Sequence, residues 1–143
     1  MREPAVIRML PDGRRLHLHD GPMDLIIEAS GSPQAISAAY EAAARRFVSI
    51  LDELCSELPL LRTRVLGNSE HPRGAAAERM FAAVEPYCEL CFITPMAAVA
   101  GAVAETILES MLGVAPLDRA YVNDGGDIAI HLNENQSYKI GMV

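Results

Sequence analysis

A long helix with one apolar face is the feature of this 143-residue sequence that most constrains its fold. Between Pro33 and Leu58 the apolar side chains recur at helical spacing: Ile36, Tyr40, Ala43, Phe47, Ile50, Leu51, Leu54 and Leu58. Ser32 is the predicted N-cap, and Pro59 ends the helix. A one-faced helix must bury its apolar side, so the sequence predicts a second layer beneath it.

The residues before this helix predict that layer to be a sheet. Two strand-like runs, from Val6 to Leu10 and from Arg14 to His19, flank an Asp-Gly turn typical of a hairpin. A third run, from Met23 to Ala29, follows the turn at Gly21. These residues therefore predict a small antiparallel meander.

The second half of the chain repeats the same two kinds of element. A short helix is predicted from Gly74 to Val84, and a second long helix from Pro95 to about Leu112. Three further strands are predicted, from Arg119 to Val122, from Ile128 to Leu132 and from Tyr138 to Val143. The predicted fold class is α/β of the α+β type: residues 1–143 form a single domain, a mainly antiparallel sheet with the two long helices packed on it.

Composition restricts the classes of partner. Half of the residues are hydrophobic and the formal net charge is −7, which argues against disorder and against binding to nucleic acid or to an anionic membrane. The N-terminal residues resemble no signal peptide, and no uncharged run reaches the roughly 20 residues of a membrane span. Three cysteines suit a reducing compartment. We therefore expect a cytoplasmic protein.

The chain ends on an apolar run, from Tyr138 to Val143. An apolar edge strand promotes aggregation unless another strand pairs with it. We therefore expect either a C-terminal continuation of the protein or a homo-oligomer interface at this strand.

Two groups of residues have the composition of metal sites. Cys88 and Cys91 are spaced like half a zinc site or a redox pair, with His71 or His131 as further ligands, or else they are buried thiols entering a core strand.

The other group is His17 and His19, which alternation places on one face of a strand, with Asp12, Asp20 and Asp24 nearby. These residues are either a metal or acid/base cluster or ordinary exposed hairpin residues. The sequence contains no nucleophile motif, no P-loop and no dinucleotide-binding glycine motif.

The stretch from Phe92 to Leu132 contains two sequence features that allow another segment or a ligand to come close to the backbone. Thr94-Pro95 opens a helix whose first turns carry mostly alanine and glycine, and an Asn-Asp-Gly-Gly-Asp turn follows at Asn123. The helix start is a potential anion site, and the small residues serve either a ligand or close packing. The turn is a hairpin signal in its own right.

The two segments together resemble the ApbE-like proteins, the FAD:protein FMN transferases once labelled thiamine-biosynthesis lipoproteins. The resemblance lies in TPMAAVAGAVAE, residues 94–105, and in YVNDGGDI, residues 121–128. It is closer still to a short, uncharacterised branch of that superfamily, which also has a Leu-Pro-Asp-Gly-Arg hairpin like residues 10–14.

This resemblance implies a pocket for a flavin nucleotide such as FAD, or for a related phosphate-bearing ligand. The implied cofactor-binding residues are Thr94, Met96, Ala97, Gly101, Glu105, Asn123, Gly125, Gly126 and Asp127. It also implies magnesium-dependent FMN transfer, with no catalytic residue assigned. The alternative is a non-catalytic structural or oligomeric binding module in which the small residues serve packing only.

The sequence departs from the transferases in three respects. Ala100 stands where the family has lysine immediately before the helix glycine, and there is no lipoprotein signal. The family's magnesium-binding aspartate and threonine lie in a later segment, beyond the position of Val143. Transfer activity is therefore expected only if a C-terminal segment supplies the metal ligands.

Overall fold

A five-stranded antiparallel sheet forms one layer of the protein in the computed structural model, which describes residues 2–143. The strands are β1 (Val6–Met9), β2 (Leu16–Asp20), β3 (Met23–Ser30), β4 (Arg119–Asp124) and β5 (Asp127–Leu132). They lie side by side in chain order. The predicted α+β class is thus confirmed.

Every α-helix of the described residues lies in the connection between β3 and β4. The helices are α1 (Pro33–Ser56), α2 (Leu58–Leu61), α3 (Ala75–Val84) and α4 (Val99–Leu112). β3 and β4 nevertheless pair directly, with Ser30 opposite Arg119 and Leu25 opposite Asp124. The helical layer is therefore an insertion between two neighbouring strands at the centre of the sheet.

Helix α1 begins where the sequence predicts. The Ser32 hydroxyl accepts a hydrogen bond from the Ala35 N–H at 3.1 Å, and Pro33 occupies the first turn. The end of the helix differs slightly from the prediction. Helix α1 stops at Ser56, and Pro59 lies in the first turn of α2, where a missing backbone N–H costs little.

The core lies between one face of the sheet and helices α1 and α4. Buried side chains from the strands include Leu16, Leu18, Leu25, Ile27, Ala120 and Val122. Helix α1 packs against β2 and β3, and α4 packs against β4, β5, α1 and α3. Alternation along the strands leaves the other face of the sheet without a helix, and we call it the open face.

One segment of the described residues, Pro95–Leu112, is long and apolar enough to cross a membrane by length and composition. It consists of a 3-10 turn, Pro95–Ala98, followed by α4. In the fold, α4 lies between α1, α3 and the sheet, so packing in the core accounts for its apolar composition.

The predicted strand from Tyr138 to Val143 is wrong. The residues after β5 form no helix or strand. The Tyr138 ring instead packs edge-on against Tyr121 on the open face, with ring centroids 5.7 Å apart, and the Arg119 guanidinium lies 4.6 Å from the Tyr138 ring centroid. These side-chain contacts, rather than a strand ladder, hold the segment.

Candidate functional site

The start of the second long helical segment is tighter than predicted. Pro95–Ala98 forms a 3-10 turn, and only then does α4 begin at Val99. Thr94 is extended, with φ −117° and ψ 159°, and its carbonyl accepts the Ala97 N–H at 3.1 Å. That bond satisfies a backbone donor which an anion at this helix start would otherwise use.

The glycine turn is a two-residue hairpin connection, as predicted. β4 ends at Asp124 and β5 begins at Asp127, and these two residues pair across the turn. Gly125 and Gly126 have φ values of 63° and 106°, which L side chains rarely adopt and which primed hairpin turns require. Asn123 Oδ1 accepts the Gly126 N–H at 2.9 Å and fixes the turn.

A pocket of about 190 Å³ lies where α4 passes the β4–β5 turn, and we call it the Gly101 pocket. Its lining includes Arg79, Ala97, Ala98, Gly101, Glu105 and Asp127. Among the described residues, and apart from its chain neighbours and the nearby backbone of its own helix, no atom lies within 4 Å of the position that a Cβ at Gly101 would occupy. Contact with a neighbouring element therefore does not account for this glycine.

Arg79 is the residue of this pocket that sequence reasoning missed. It projects from α3, and its Nη1 donates to Thr106 Oγ1 at 2.9 Å. Its Nε lies 3.7 Å from Glu105 Oε2, and its Nη2 pairs with Glu109. The guanidinium lowers the pKa of Glu109 through a hydrogen bond and its charge. Arg79 supplies a cation beside Gly101, although Ala100 replaces the lysine expected from the family resemblance.

A single signal in the sequence could have drawn attention to Arg79. It is the sole basic residue of α3, whose sequence AAAERMFAAV is otherwise almost entirely apolar. A lone basic residue on a short, mostly apolar helix frequently has a specific partner when it lies beside the core.

A larger pocket of about 430 Å³ lies on the other side of α4, and we call it the Met96 pocket. Leu51 and Leu54 of α1 and Val99 and Val103 of α4 give it an apolar wall. Asp124, a residue that is only 9% exposed, contributes a carboxyl group to the lining. Its pKa is raised to about 6, first by burial and then by the negative charges of Asp127 and Asp24.

The structure divides the predicted site residues among five places. Ala97, Gly101, Glu105 and Asp127 meet in the Gly101 pocket, whereas Met96 lines the Met96 pocket. Asn123 faces the open side of the sheet beside Tyr121 and Tyr138. Thr94 lies at the helix start, and Gly125 and Gly126 form the exposed turn. Met96 and Ala97 are adjacent in the 3-10 turn, yet they line different pockets.

The predicted alternative in which Cys88 and Cys91 are buried thiols entering a core strand is wrong. Cys88 and Cys91 follow a 3-10 turn, Glu85–Tyr87, and do not enter a strand. Cys91 is exposed and Cys88 is half-buried. Among residues 2–143, no group of three potential metal-binding side chains includes either thiol. The turn residues between them, Glu89 and Leu90, are exposed as well.

The predicted placement of the two histidines is confirmed. His17 and His19 lie on the same face of β2, as alternation predicts, and Asp24 of β3 lies between their rings. The aspartates at positions 12 and 20 are occupied elsewhere. Asp12 accepts hydrogen bonds from the backbone N–H groups of Arg14 and Arg15, and Asp20 pairs with Arg2.

Comparison with known proteins gives one relationship. No curated protein and no solved structure matches the chain. A protein-family model described as AbpE bacteria matches residues 7–143, which is nearly the whole length. The chain therefore belongs to the family described as AbpE bacteria.

Proposed function

We propose that this protein binds a flavin nucleotide, or a related phosphate-bearing ligand, around the first half of α4. The observation that carries the proposal is that Gly101 opens onto a pocket rather than a packed neighbour. The pocket beside it holds a guanidinium, the side chain best suited to a phosphate. The resemblance of residues 94–105 and 121–128 to ApbE-like proteins supports the same ligand class.

The two pockets offer different chemistry to such a ligand. The Met96 pocket has an apolar wall, and its volume of about 430 Å³ falls in the usual range for small-molecule sites. Its lining suits a flat ring system. The Gly101 pocket, at about 190 Å³, suits a phosphate group. We propose that the ligand crosses the helical segment at Ala97, Ala98, Ala100 and Gly101, where the side chains are small or absent.

Arg79 must change partners when an anion binds. At present Glu105 and Glu109 neutralise its charge. Both glutamates are largely exposed, so exchanging their carboxylates for a phosphate costs little desolvation. Glu105 belongs to the residues implied by the family resemblance, and we propose that it positions Arg79. Magnesium-dependent FMN transfer is a further proposal, which requires metal ligands from a C-terminal segment.

The experiment that tests this proposal is a titration of the protein with FAD and FMN, followed by flavin fluorescence with and without Mg²⁺. We expect saturable binding by the wild-type chain. Arg79→Ala should weaken it by about tenfold or more, because a charge-assisted contact to phosphate is lost. The matched control is Arg45→Ala, which removes an exposed arginine of α1 that pairs with Glu41. This variant should bind like wild type.

Two outcomes would contradict the proposal. No fluorescence change with either flavin, in either condition, would exclude flavin binding. Equal losses in Arg79→Ala and Arg45→Ala would show a general charge effect rather than a site. The alternative of a non-catalytic structural or oligomeric module predicts the first of these outcomes. Exposed apolar side chains on the open face, Val6, Ile128 and Ile130, favour that alternative.

Gly101→Ala separates a packing role from a ligand role. A Cβ at this position meets open space, and alanine has the higher helix propensity. We therefore expect the free energy of unfolding to rise by roughly 0.5–1 kcal/mol in urea denaturation. A packing role predicts a fall instead. Gly126→Val is a poorer probe, since φ is 106° there and the variant is strained whether or not a ligand binds.

A further inference from the structure

The open face of the sheet carries a convergent group of three side chains, His17 and His19 from β2 and Asp24 from β3. Their positions are fixed by the strand ladder, in which His19 lies directly opposite Asp24. Both imidazole rings point at the same carboxylate oxygen. His17 Nε2 contacts Asp24 Oδ1, and His19 Nδ1 lies 3.4 Å from it. The three ligand atoms all lie within 4.8 Å of one another.

We infer that His17, His19 and Asp24 form a binding site for a divalent transition-metal ion of the Zn²⁺ type. Two ring nitrogens and one carboxylate oxygen are ligands that Zn²⁺ and its first-row neighbours prefer, whereas Mg²⁺ and Ca²⁺ prefer oxygen alone. Three protein ligands leave at least one coordination position for water or a small anion.

The spacing of the ligand atoms fits this assignment. Two atoms bound to a tetrahedral zinc at about 2.1 Å are roughly 3.4 Å apart. His19 Nδ1 and Asp24 Oδ1 already have that separation. The His17 ring must move away from the carboxylate to admit an ion, because its Nε2 now contacts Asp24 Oδ1 directly.

The site is accessible and is separate from the pockets around α4. Relative side-chain exposure is 15% for His17, 51% for His19 and 61% for Asp24. An ion can therefore enter from solvent without opening the core. The site occupies the face of the sheet opposite α4, so this inference does not depend on the proposed flavin binding.

Arg8 of β1 opposes metal binding in the present arrangement. It lies across the ladder from His17, and its Nε donates to His17 Nδ1 at 3.4 Å. A neutral imidazole that binds metal through Nε2 carries its proton on Nδ1 and cannot accept this bond. Arg8 must turn away when the ion binds, and its positive charge also disfavours a cation nearby.

Calorimetric titration of the chelator-stripped 143-residue chain with Zn²⁺ tests the inference. We expect about one equivalent to bind in wild type. His19→Ala and Asp24→Asn should each weaken binding by about tenfold or more, and Arg8→Met should strengthen it. The matched control is His131→Ala, which removes a histidine of β5 that hydrogen-bonds Asn133. This variant should bind like wild type.

Cobalt provides a second readout. Co²⁺ in a site with nitrogen and oxygen ligands should give visible absorption bands that disappear in His19→Ala. Circular dichroism of each variant verifies that these exposed substitutions leave the fold intact. The inference is overturned if wild type binds neither ion, or if His19→Ala and His131→Ala bind Zn²⁺ equally well.

Discussion

Replacing Phe47 by alanine is expected to lower the free energy of unfolding by about 3–5 kcal/mol. Phe47 lies in the middle of α1 and is 0% exposed in the main core. The substitution loses the transfer free energy of the ring and leaves a cavity that a close-packed interior fills only in part. Because domains of this size are typically stable by only about 5–15 kcal/mol, the loss should be visible as a large fall in the urea midpoint.

The neighbouring residue provides the control. Val48 follows Phe47 in the same helix turn and is 48% exposed. Val48→Ala should change the free energy of unfolding by less than about 1 kcal/mol, since little apolar surface is withdrawn from packing. Similar losses in the two variants would mean that α1 does not present this face to the sheet. The comparison therefore tests the layer arrangement itself.

Asp124→Asn is expected to raise the free energy of unfolding at neutral pH by about 2 kcal/mol. This is less than the energy equivalent of the whole pKa shift, because solvent still reaches the carboxyl group. The folded pKa of Asp124 is about 6, above the ordinary 3.8. The folded state therefore holds its proton more tightly than the unfolded state. Ionisation penalises folding progressively between about pH 4 and pH 6, and the penalty is constant above that range.

The measurement is urea denaturation of both proteins at several pH values. The stability difference between Asp124→Asn and wild type should be near zero at pH 4 and should reach its maximum above pH 6 to 7. Asp127→Asn tests the cause, because the Asp127 charge is the second contribution to the raised pKa. It should stabilise in the same pH range by a smaller amount. A difference that is independent of pH would show that ionisation of Asp124 is not involved.

The elements that the sequence predicted correctly are those with local signals. Helix α1 is specified by the Ser32 cap and an uninterrupted apolar face, and the β4–β5 turn by two adjacent glycines. The first hairpin follows from Asp12 and Gly13, whose turn is closed by hydrogen bonds within a few residues. Each of these depends on neighbours in the chain, which a sequence displays directly.

The features that the sequence did not reveal depend on contacts between distant residues. Arg79 reaches Gly101 only because α3 packs on α4. Met96 and Gly101 line different pockets because they lie on different elements, the 3-10 turn and α4, and the small residues around them do not indicate this break. The segment after β5 forms no strand, and its Tyr138 packs against Tyr121 on the sheet face. The positions of these residues are determined by tertiary packing, which local sequence patterns do not display.

The insertion of the helices between β3 and β4 has a consequence for how the chain folds. The β1–β3 meander and the β4–β5 hairpin can each form from nearby residues, but the ladder that joins them brings Ser30 to Arg119. That closure carries a large entropic cost unless the intervening chain has already collapsed. We therefore expect α1 and α4 to assemble before the central ladder, so that they hold the two halves of the sheet in register. Phe47, in the middle of α1, is then the position where a substitution should slow folding as well as weaken the folded state.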